Sequence, residues 1–364
     1  MHHTTRIMCL ALAATLLVTA CASGAEQGSV VTSTIAPLAT LPPGTAPPTS
    51  TTTTTLPPTT TTTVPAVVVH DTVNGLEAGA ASMERRAVVI KIDNHRDARP
   101  QAGLMEADLV YEMLVEGGLT RFAAVFHQTD SAFVGPVRSG RPTDVGVVRA
   151  LDAPFQVSGA QWWVQDIFED HGLRMVWETG AATWRESSRT APHNLFASSL
   201  LLRDFADSRG WPDENPGNVF QFGETTPSDA TASEVTFDWS DHPAVRWVWN
   251  GEAYERFNGD TPHEWFNEAG GTGIVSSPVL VAIVGEKHWS RSPDGTGSPV
   301  PTTDTIGEGT AYVFLGESVV EGRWDRETYE HPLHLTTTGG ADLILPPSRM
   351  WISIFPSDES LTWE

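Results

Sequence analysis

The chain has 364 residues, of which 22 are Lys or Arg and 45 are Asp or Glu, so its formal charge is -23 and its isoelectric point is near 4.8. This length is enough for about two domains, and because hydrophobic residues make up 40% of it, most of the chain can bury a core. A content of only two cysteines excludes a small disulfide scaffold, and the acidic balance argues against a nucleic-acid partner.

The first 20 residues have the organisation of a bacterial lipoprotein signal peptide. Arg6 precedes an apolar run over residues 7–18, which is shorter than the roughly 20 residues that span a bilayer. The run ends in Val18-Thr19-Ala20-Cys21, the pattern of a lipobox, whose cysteine accepts a diacylglyceryl group. We therefore predict cleavage before Cys21, acylation of Cys21 (for example with palmitate), and an extracytoplasmic chain anchored to the cell membrane by lipid. The alternative is an ordinary secretory signal with an incidental cysteine.

Residues 21–70 have the composition of a stalk. Residues 32–65 contain 15 Thr and 8 Pro, and no charged residue lies between positions 27 and 70. Such a tract cannot form a core and stays extended, at about 3.1 Å per residue where it is polyproline-like. We predict a disordered Thr/Pro-rich stalk that holds the folded part of the chain away from the membrane.

Residues 71–225 alternate strand and helix patterns. A buried strand is predicted at 87–92 and a hairpin at 109–115 and 122–126, because apolar residues alternate and Gly117-Gly118 supplies a turn. A helix at 104–116 is the alternative, since part of this stretch also tolerates a 3.6-residue period. Helices are predicted at 144–150, 162–171 and 197–208, and strands at 155–158 and 174–177. This segment therefore predicts an α+β or α/β N-terminal domain.

Residues 235–364 predict a β-rich C-terminal domain. Val245, Trp247 and Trp249 alternate up to Asn250-Gly251, which is the strongest short hairpin signal in the chain. Further strands are predicted at 279–284, 311–315, 319–324, 343–345 and 351–355. The boundary between the two domains is predicted near 211–240, where Pro, Gly, Asn and Thr cluster.

Several runs of residues, in a fixed order, carry a resemblance to a known family. They are Asp93-Asn94, Ala98-Arg99-Pro100-Gln101, Ala107-Asp108-Leu109-Val110-Tyr111-Glu112, Val115-Glu116-Gly117-Gly118-Leu119-Thr120-Arg121, Val134-Gly135-Pro136-Val137-Arg138-Ser139, Ala191-Pro192-His193-Asn194-Leu195, Trp249-Asn250-Gly251, Tyr254-Glu255-Arg256-Phe257 and Val320-Glu321-Gly322-Arg323-Trp324. With these motifs the chain resembles the YerB-like bacterial lipoproteins over about residues 85–360. The resemblance implies a lipid-anchored protein with two domains of unknown function and no agreed catalytic residue.

The chain departs from the family pattern at one place. Where the family usually shows a His-Ala-Gly-Gly-Ser-like stretch, this chain has Val157-Ser158-Gly159-Ala160-Gln161. No histidine role is carried over to that stretch.

Arginines in loops and at strand ends define the candidate ligand-binding site. A guanidinium group binds phosphate or carboxylate through two parallel hydrogen bonds, and neighbouring amides or hydroxyls select a sugar or a peptide. The alternative is that these arginines pair with Glu112, Glu116, Asp108 and Asp144 and only hold the loops. The candidate residues are Asn94, Arg99, Gln101, Glu112, Glu116, Arg121, Arg138, Ser139, Arg141, His193 and Asn194.

Standard catalytic motifs are absent from the sequence. No nucleophile-elbow, zinc-protease, phosphate-loop or dinucleotide-binding pattern occurs. Glu112 and Glu116 have a spacing compatible with a carboxylate pair, although a solvent-exposed strand face is the more ordinary interpretation. His95 and His127 with Asp93 lack a tight metal-ligand spacing, so we expect no metal and no cofactor.

The thirteen tryptophans raise the hypothesis of a sugar-stacking platform. Trp162-Trp163, Trp247 and Trp249 are the candidates for it. Because Trp247 and Trp249 share one face of a predicted strand, we favour a core position for them.

Three functions are compatible with the sequence. The first is a lipoprotein that binds a cell-envelope polymer, such as a cell-wall glycan, or an envelope protein. The second is an envelope enzyme acting on a phosphate-bearing or lipid-linked glycan, and the third is a structural spacer. Convergence of Arg99, Arg121, Arg138 and Arg141 in one concave site would favour the first two.

Overall fold

The computed structural model describes residues 68–225, 228, 230–240 and 242–364, with side chains for all of them except 81 and 82. The predicted signal peptide, Cys21 and the predicted stalk up to residue 67 lie outside the described residues. From residue 68 onward, the described residues belong to one compact unit.

Strands dominate the described residues, which contain three α-helices. Strands β1–β12 span Val69–His70, Glu77–Ala78, Val88–Asp93, Leu109–Leu114, Thr120–Phe126, Pro154–Gln156, Arg174–Val176, Thr183–Arg185, Leu195–Ala197, Glu234–Asp238, Val245–Trp249 and Tyr254–Asn258. Strands β13–β24 span Thr261–Pro262, Glu264–Phe266, Thr272–Ile274, Ser276–Ser277, Val279–Gly285, Lys287–Ser290, Val300–Thr303, Gly307–Leu315, Ser318–Arg326, His334–Thr337, Met350–Pro356 and Ser360–Trp363. Helices α1–α3 span Val145–Leu151, Trp162–Asp170 and Ser199–Ser208. Short 3₁₀ turns span Ala80–Glu84, Arg96–Ala98, Glu116–Gly118 and Pro142–Asp144.

Ten strands form one mixed sheet in the order β22-β21-β20-β17-β23-β4-β5-β3-β6-β7. β3, β6 and β7 are parallel neighbours, and α2 forms the crossover from β6 to β7. β4 and β5 form an antiparallel hairpin, while β23 lies parallel to both of its neighbours, β17 and β4. Strands from both sides of the predicted boundary therefore share this sheet, and the division into two domains stays a prediction.

Both faces of the ten-stranded sheet are covered. Val148 of α1 and Phe168 of α2 belong to the core on one face, together with Val89 of β3. On the other face, Leu202 of α3 and Trp247 of β11 belong to a second core. Trp247 comes from a second sheet of order β13-β12-β11-β10-β24, in which β16 also pairs with β12. A central strand of this sheet is therefore covered on both faces, and its side chains are buried whichever face they point to.

The structure confirms most of the elements predicted in the chain. The hairpins β4–β5 and β11–β12 form, and the three predicted helices appear as α1, α2 and α3. The alternative helix at 104–116 is wrong, because Leu109–Leu114 pairs with strands on both sides. The third helix begins two residues later than predicted, because Leu195–Ala197 forms a strand that pairs with β8.

The structure confirms the β-rich part of the predicted fold class. The chain is rich in β structure, and its described α-helices all lie between residues 145 and 208. The finer α+β or α/β assignment of the N-terminal segment stays a prediction, since its strands complete a sheet with C-terminal ones. None of the helices in the described ranges is long and apolar enough to cross a membrane.

A buried ion pair joins β3 to the start of α1. Lys91 Nζ donates to Asp144 Oδ1 at 2.6 Å, and neither side chain has exposed surface. The second carboxylate oxygen of Asp144 accepts a hydrogen bond from the Arg141 backbone N–H at 2.7 Å. Burial lowers the pKa of Lys91 to about 8, although the carboxylate of Asp144 acts in the opposite direction. The pair therefore holds the loop before α1 against the sheet.

We expect Lys91→Met to lower the free energy of unfolding by about 3–5 kcal/mol, because the Asp144 carboxylate is then buried without its cation. Urea denaturation at neutral pH measures this loss. Lys287→Met is the matched control, since Lys287 is the only other lysine and its partners, Asp358 and Glu359, are 57% and 21% exposed, in contrast to Asp144. We expect the control to lose about 1 kcal/mol or less. Equal losses in the two variants would contradict a special role for the buried pair.

Candidate functional site

The carboxyl ends of β3, β4 and β6 meet at one edge of the central sheet. These strands run in the same direction, because β5 is antiparallel to both β3 and β4, and β6 is parallel to β3. Asp93 ends β3, Glu116 follows β4, Ser158 follows β6, and Arg121 near the start of β5 pairs with Asp93 across the strands. The loop 134–142 crosses the same edge. Sheets with parallel strands bind ligands beyond such carboxyl ends.

Three arginines converge at this edge, and we call Arg121, Arg138 and Arg141 the arginine cluster. Arg138 Nε lies 3.3 Å from Asp93 Oδ2. Arg141 Nε donates to Glu116 Oε2 at 2.6 Å. Arg121 Nη1 donates to the Ser139 carbonyl oxygen at 2.9 Å.

Positive charge exceeds negative charge in the arginine cluster. Asp93 and Glu116 pair with two of its three guanidinium groups, and Arg121 forms no ion pair within the part of the chain that the structure describes. Burial, followed by the nearby Arg141, lowers the pKa of the Arg121 guanidinium to about 9. A buried cation of this kind is stabilised by an added anion, so the cluster is electrostatically suited to a phosphate or a carboxylate.

Glu116 is held as a carboxylate by the cluster. Burial raises the pKa of its carboxyl group, but the hydrogen bond and the ion pair with Arg141 outweigh burial and leave the pKa below its ordinary value. Glu116 therefore remains charged at neutral pH and fixes the direction of the Arg141 side chain.

A histidine pair lies next to Asp93. His193 Nδ1 donates to Asp93 Oδ2 at 2.8 Å, so the same carboxylate oxygen contacts both His193 and Arg138. The His193 ring stacks on His95, with 4.8 Å between the ring centroids and 10° between the planes. These rings adjoin an open cavity of about 580 Å³, which is lined by Asp97, Arg99, Arg189, Thr190, Ala191, Pro192 and His193.

Arg99 connects this cavity to the interior. Its Nε donates to Asn94 Oδ1 at 3.1 Å, and its Nη2 donates to the Asn94 carbonyl oxygen at 3.2 Å. Burial, followed by the charge of Arg256, lowers the pKa of Arg99 to about 10. Arg99 is therefore a second guanidinium whose charge is only partly compensated.

Six buried side chains beneath this edge form a closed circuit of hydrogen bonds, which we call the polar ring. Its members, in order around the circuit, are Glu112, Thr120, Asn94, Gln101, His263 and Arg256. All six are buried. The polar ring joins β4 of the N-terminal segment to β12 and the loop after β13 in the C-terminal segment.

The strongest contact of the polar ring is the ion pair of Glu112 and Arg256. Arg256 Nη2 donates to Glu112 Oε1 at 2.6 Å, and neither side chain has exposed surface. The other oxygen of Glu112 accepts a hydrogen bond from Trp351 Nε1 at 2.8 Å. The Arg256 guanidinium also lies over the rings of Phe122 and Trp247. Aromatic faces and one carboxylate thus compensate a fully buried cation.

His263 is neutral in the polar ring. Arg256 Nη1 donates to His263 Nδ1, and His263 Nε2 donates to Gln101 Oε1 at 2.7 Å, which is the pattern of the Nε2–H tautomer. Burial, followed by Arg256 and Arg99, lowers the pKa of His263 well below 6.5.

The structure brings most of the predicted site residues into three adjacent groups. Glu116, Arg121, Arg138, Ser139 and Arg141 meet at the arginine cluster, Asn94, Gln101 and Glu112 belong to the polar ring, and Arg99 and His193 lie at the neighbouring cavity. Asn194 does not join them, because its Oδ1 accepts a hydrogen bond from Arg185 Nη1 at 2.7 Å.

Two interpretations of carboxylates and histidines require correction. Glu112 is not on a solvent-exposed strand face, because β4 is covered on both sides and the carboxylate is fully buried. His127 does not approach Asp93, since the two lie at opposite ends of the β3–β5 pair, and its ring binds Asp71 Oδ2 at 2.5 Å.

Of the tryptophans considered for a sugar-stacking platform, Trp247 is a core residue as favoured, whereas Trp162 is exposed.

Sequence analysis missed Thr120, Arg256 and His263 as members of the site. The alternation of β12 offered a signal for one of them, because Arg256 lies two residues after the buried Tyr254 and therefore faces the same core. Thr120 and His263 are recognisable only once the strands are paired, since neither stands in a pattern typical of a site.

His263 makes a specific contribution to acid sensitivity. The unfolded chain binds a proton on this residue near pH 6.5, whereas the folded chain does so only at a much lower pH. The free energy of unfolding therefore falls as the pH drops below about 6.5, by at most about 1.4 kcal/mol per pH unit. We expect His263→Gln to flatten this dependence in urea denaturation series at pH 7 to 5.

His334→Gln is a control of opposite sign. The hydrogen bond that His334 Nε2 donates to Asp342 raises the pKa of His334, so this histidine stabilises the fold at low pH, and that contribution is lost as the pH rises through the folded-state pKa. His334→Gln should therefore make the free energy of unfolding fall slightly more steeply as the pH drops. A His263→Gln profile that parallels the parent profile would contradict the neutral assignment of His263.

Comparisons with known proteins agree with the motifs and the fold. Residues 73–212 match the model described as "Protein of unknown function (DUF3048) N-terminal domain", and residues 234–352 match the corresponding C-terminal domain. The "Putative lipoprotein YerB" of Bacillus subtilis is 27% identical over 307 residues, which cover 78% of this chain and 85% of that protein. The crystal structure of YerB protein from Bacillus subtilis has a similar fold, with a TM-score of 0.69 and 24% identity over 81% of this chain and 99% of that one. The chain therefore belongs to the YerB-like family, and it matches the models of both the N-terminal and the C-terminal DUF3048 domain.

Proposed function

We propose that this chain is a lipid-anchored, extracytoplasmic protein whose arginine cluster binds a phosphate or carboxylate group of a cell-envelope polymer or partner protein. The observation that carries the proposal is the convergence of three guanidinium groups on two carboxylates at the carboxyl edge of the central sheet. The excess charge belongs to Arg121, which forms no ion pair within the described residues and shares the charges of Asp93 and Glu116 with Arg138 and Arg141. A bound anion would pair with this charge.

The proposed anchor is supported by the sequence and by a relative. The apolar run at 7–18 followed by Val18-Thr19-Ala20-Cys21 has the order of a lipoprotein signal, and the related YerB protein carries the name of a lipoprotein. A lipidated cysteine at the end of a long Thr/Pro-rich tract would keep the folded part near the membrane and leave it free to reach a polymer beyond the surface.

The anchor is tested by Cys21→Ala. We expect this variant to accumulate as an unprocessed precursor or to leave the membrane fraction, because no diacyl group can be attached. Fractionation after a salt wash, with detection of the full chain, measures the outcome. Ser23→Ala is the matched control and should stay with the membranes. Complete retention of processed Cys21→Ala would overturn lipid anchoring.

The binding site is tested by Arg121→Gln, with a glycerol phosphate oligomer and a glutamate oligomer as probes and an uncharged N-acetylglucosamine oligomer as the control ligand. We expect at least 30-fold weaker binding of whichever anionic probe binds, as for the loss of about 2 kcal/mol from a charge-assisted hydrogen bond. The free energy of unfolding should stay equal or rise, since a poorly compensated charge is removed. Calorimetric titration and urea denaturation measure the two effects.

Two further variants separate binding from folding. Arg141→Gln should lose stability, because it leaves Glu116 partly buried without its partner. Arg323→Gln should change neither property, because Arg323 pairs with Glu308 at the surface. Binding of neither anionic probe to the parent chain, or unchanged binding in Arg121→Gln, would overturn the proposed site.

A second candidate function is an envelope enzyme acting on a phosphate-bearing or lipid-linked glycan. The hydrogen bond from His193 to Asp93 favours it, because a carboxylate at Nδ1 fixes the imidazole ring and leaves Nε2 for proton transfer beside the arginines. Product analysis after incubation with a lipid-linked phosphoglycan distinguishes turnover from binding alone.

A further inference from the structure

In contrast to the expectation of no metal from sequence spacing, we propose that His95, Asp97 and His193 bind one divalent transition-metal ion, such as Zn²⁺. One potential ligand atom from each of the three residues lies within 4.8 Å of the other two. The set consists of two imidazoles and one carboxylate, a combination that suits Zn²⁺ and Co²⁺ rather than Mg²⁺ or Ca²⁺. Neither the lipid anchor nor the arginine cluster requires this site, so the inference stands apart from the proposed binding function. An ion on His193 Nε2 would, however, exclude the proton transfer that the second candidate function assigns to that atom.

His193 is already oriented as a metal ligand. Its Nδ1–H donates to Asp93 Oδ2 at 2.8 Å, which leaves the lone pair of Nε2 available. A carboxylate that accepts from the second ring nitrogen is the usual partner of a metal-bound histidine, because it fixes the tautomer and raises the basicity of the ligating nitrogen. The His193 side chain is 14% exposed and Asp93 only 4%, so this half of the site is held within the fold.

His95 and Asp97 form the adjustable half of the site. They lie at the 3₁₀ turn Arg96–Ala98, and their side chains are 34% and 61% exposed. Ligands at about 2.1 Å from a tetrahedral Zn²⁺ are roughly 3.4 Å apart. His95 Nδ1 accepts a hydrogen bond from the Asp97 backbone N–H at 3.2 Å and lies 3.5 Å from Asp97 Oδ2. An ion would replace that N–H as the partner of His95 Nδ1, while His193 keeps its bond to Asp93.

The cavity beside the three residues leaves room for a further ligand on the ion. Its volume is about 580 Å³, and Asp97 and His193 are among its lining residues. Three protein ligands and an open position are typical of a metal that exchanges its fourth ligand. Arg99 and Arg189 also line this cavity, so an anion is the ligand that this position favours.

A second cluster, Glu286, His288 and Asp304, satisfies the same distance. In each cluster one histidine already lies near a carboxylate, His288 Nε2 at 2.8 Å from Asp304 Oδ2 and His95 Nδ1 at 3.5 Å from Asp97 Oδ2. Of the two clusters, the first also has a histidine, His193, that is oriented by a carboxylate outside the cluster. The side chains of His288 and Asp304 are nearly half exposed, on the β18–β19 ribbon and beside it. The second cluster therefore provides the competing site in the experiment.

The test is a calorimetric titration of the full-length chain with Zn²⁺ alone, and with Co²⁺ to follow the visible absorption of the bound ion. All proteins carry Cys9→Ser and Cys21→Ser and no histidine tag, so that thiols and tags do not bind the ion. We expect one ion per chain, with at least tenfold weaker binding in His193→Ala and in His95→Ala. Asp93→Asn should weaken binding by about 10- to 100-fold without removing a ligand.

His288→Ala and His334→Ala are the controls and should bind as the parent does. Circular dichroism checks the fold of each variant, and His95→Ala decides the outcome if His193→Ala does not fold, because His95 lies at the surface. No binding of either ion at millimolar concentration, parent-like binding in His95→Ala, or loss of binding confined to His288→Ala would overturn the proposal. The titration contains no phosphate, so its result is independent of the anion-binding test.

Discussion

The buried ion pair of Glu112 and Arg256 is the contact on which the arrangement of the site depends. A guanidinium group without exposed surface is stable only if its neighbours compensate its charge, and the Glu112 carboxylate is the ion-pair partner within the described chain. These two residues are 144 positions apart in sequence. Their pairing therefore fixes the second sheet against the central one and, through the polar ring, orients Asn94 and Gln101.

The polar ring also determines which side chains reach the surface. Gln101 Nε2 donates to the Asp93 carbonyl oxygen at 3.0 Å, so the backbone at the end of β3 is held from below. Asp93, at that end, then directs its carboxylate toward Arg138 and His193. The polar ring thus holds the end of β3 rigid, and the charged side chains of the arginine cluster and Asp93 lie next to it. Rigid support of this kind is what keeps a charged group aimed at a ligand instead of relaxing toward its nearest neighbour.

Sequence patterns predicted the local elements and part of the site, for identifiable reasons. Alternation and turn residues were sufficient for the β4–β5 hairpin, and arginines in loops and at strand ends were sufficient for the arginine cluster. Alternation could not show that β4 is covered on both faces, because that depends on a sheet formed more than 100 residues later. Glu112 was therefore interpreted as exposed. His193 and Asp93 are 100 positions apart, and no local pattern reveals that they meet.

The position of β23 between β17 and β4 has a consequence for how the chain reaches its native state. Met350 pairs with Leu109, so this edge of β4 remains without its neighbour until β23, at Met350–Pro356, has been synthesised. Contacts of such high sequence separation make folding slow, and an unpaired hydrophobic strand edge attracts other chains. In a chain exported as we propose, slow folding would keep the polypeptide extended during passage across the membrane, and the sheet would be completed on the far side.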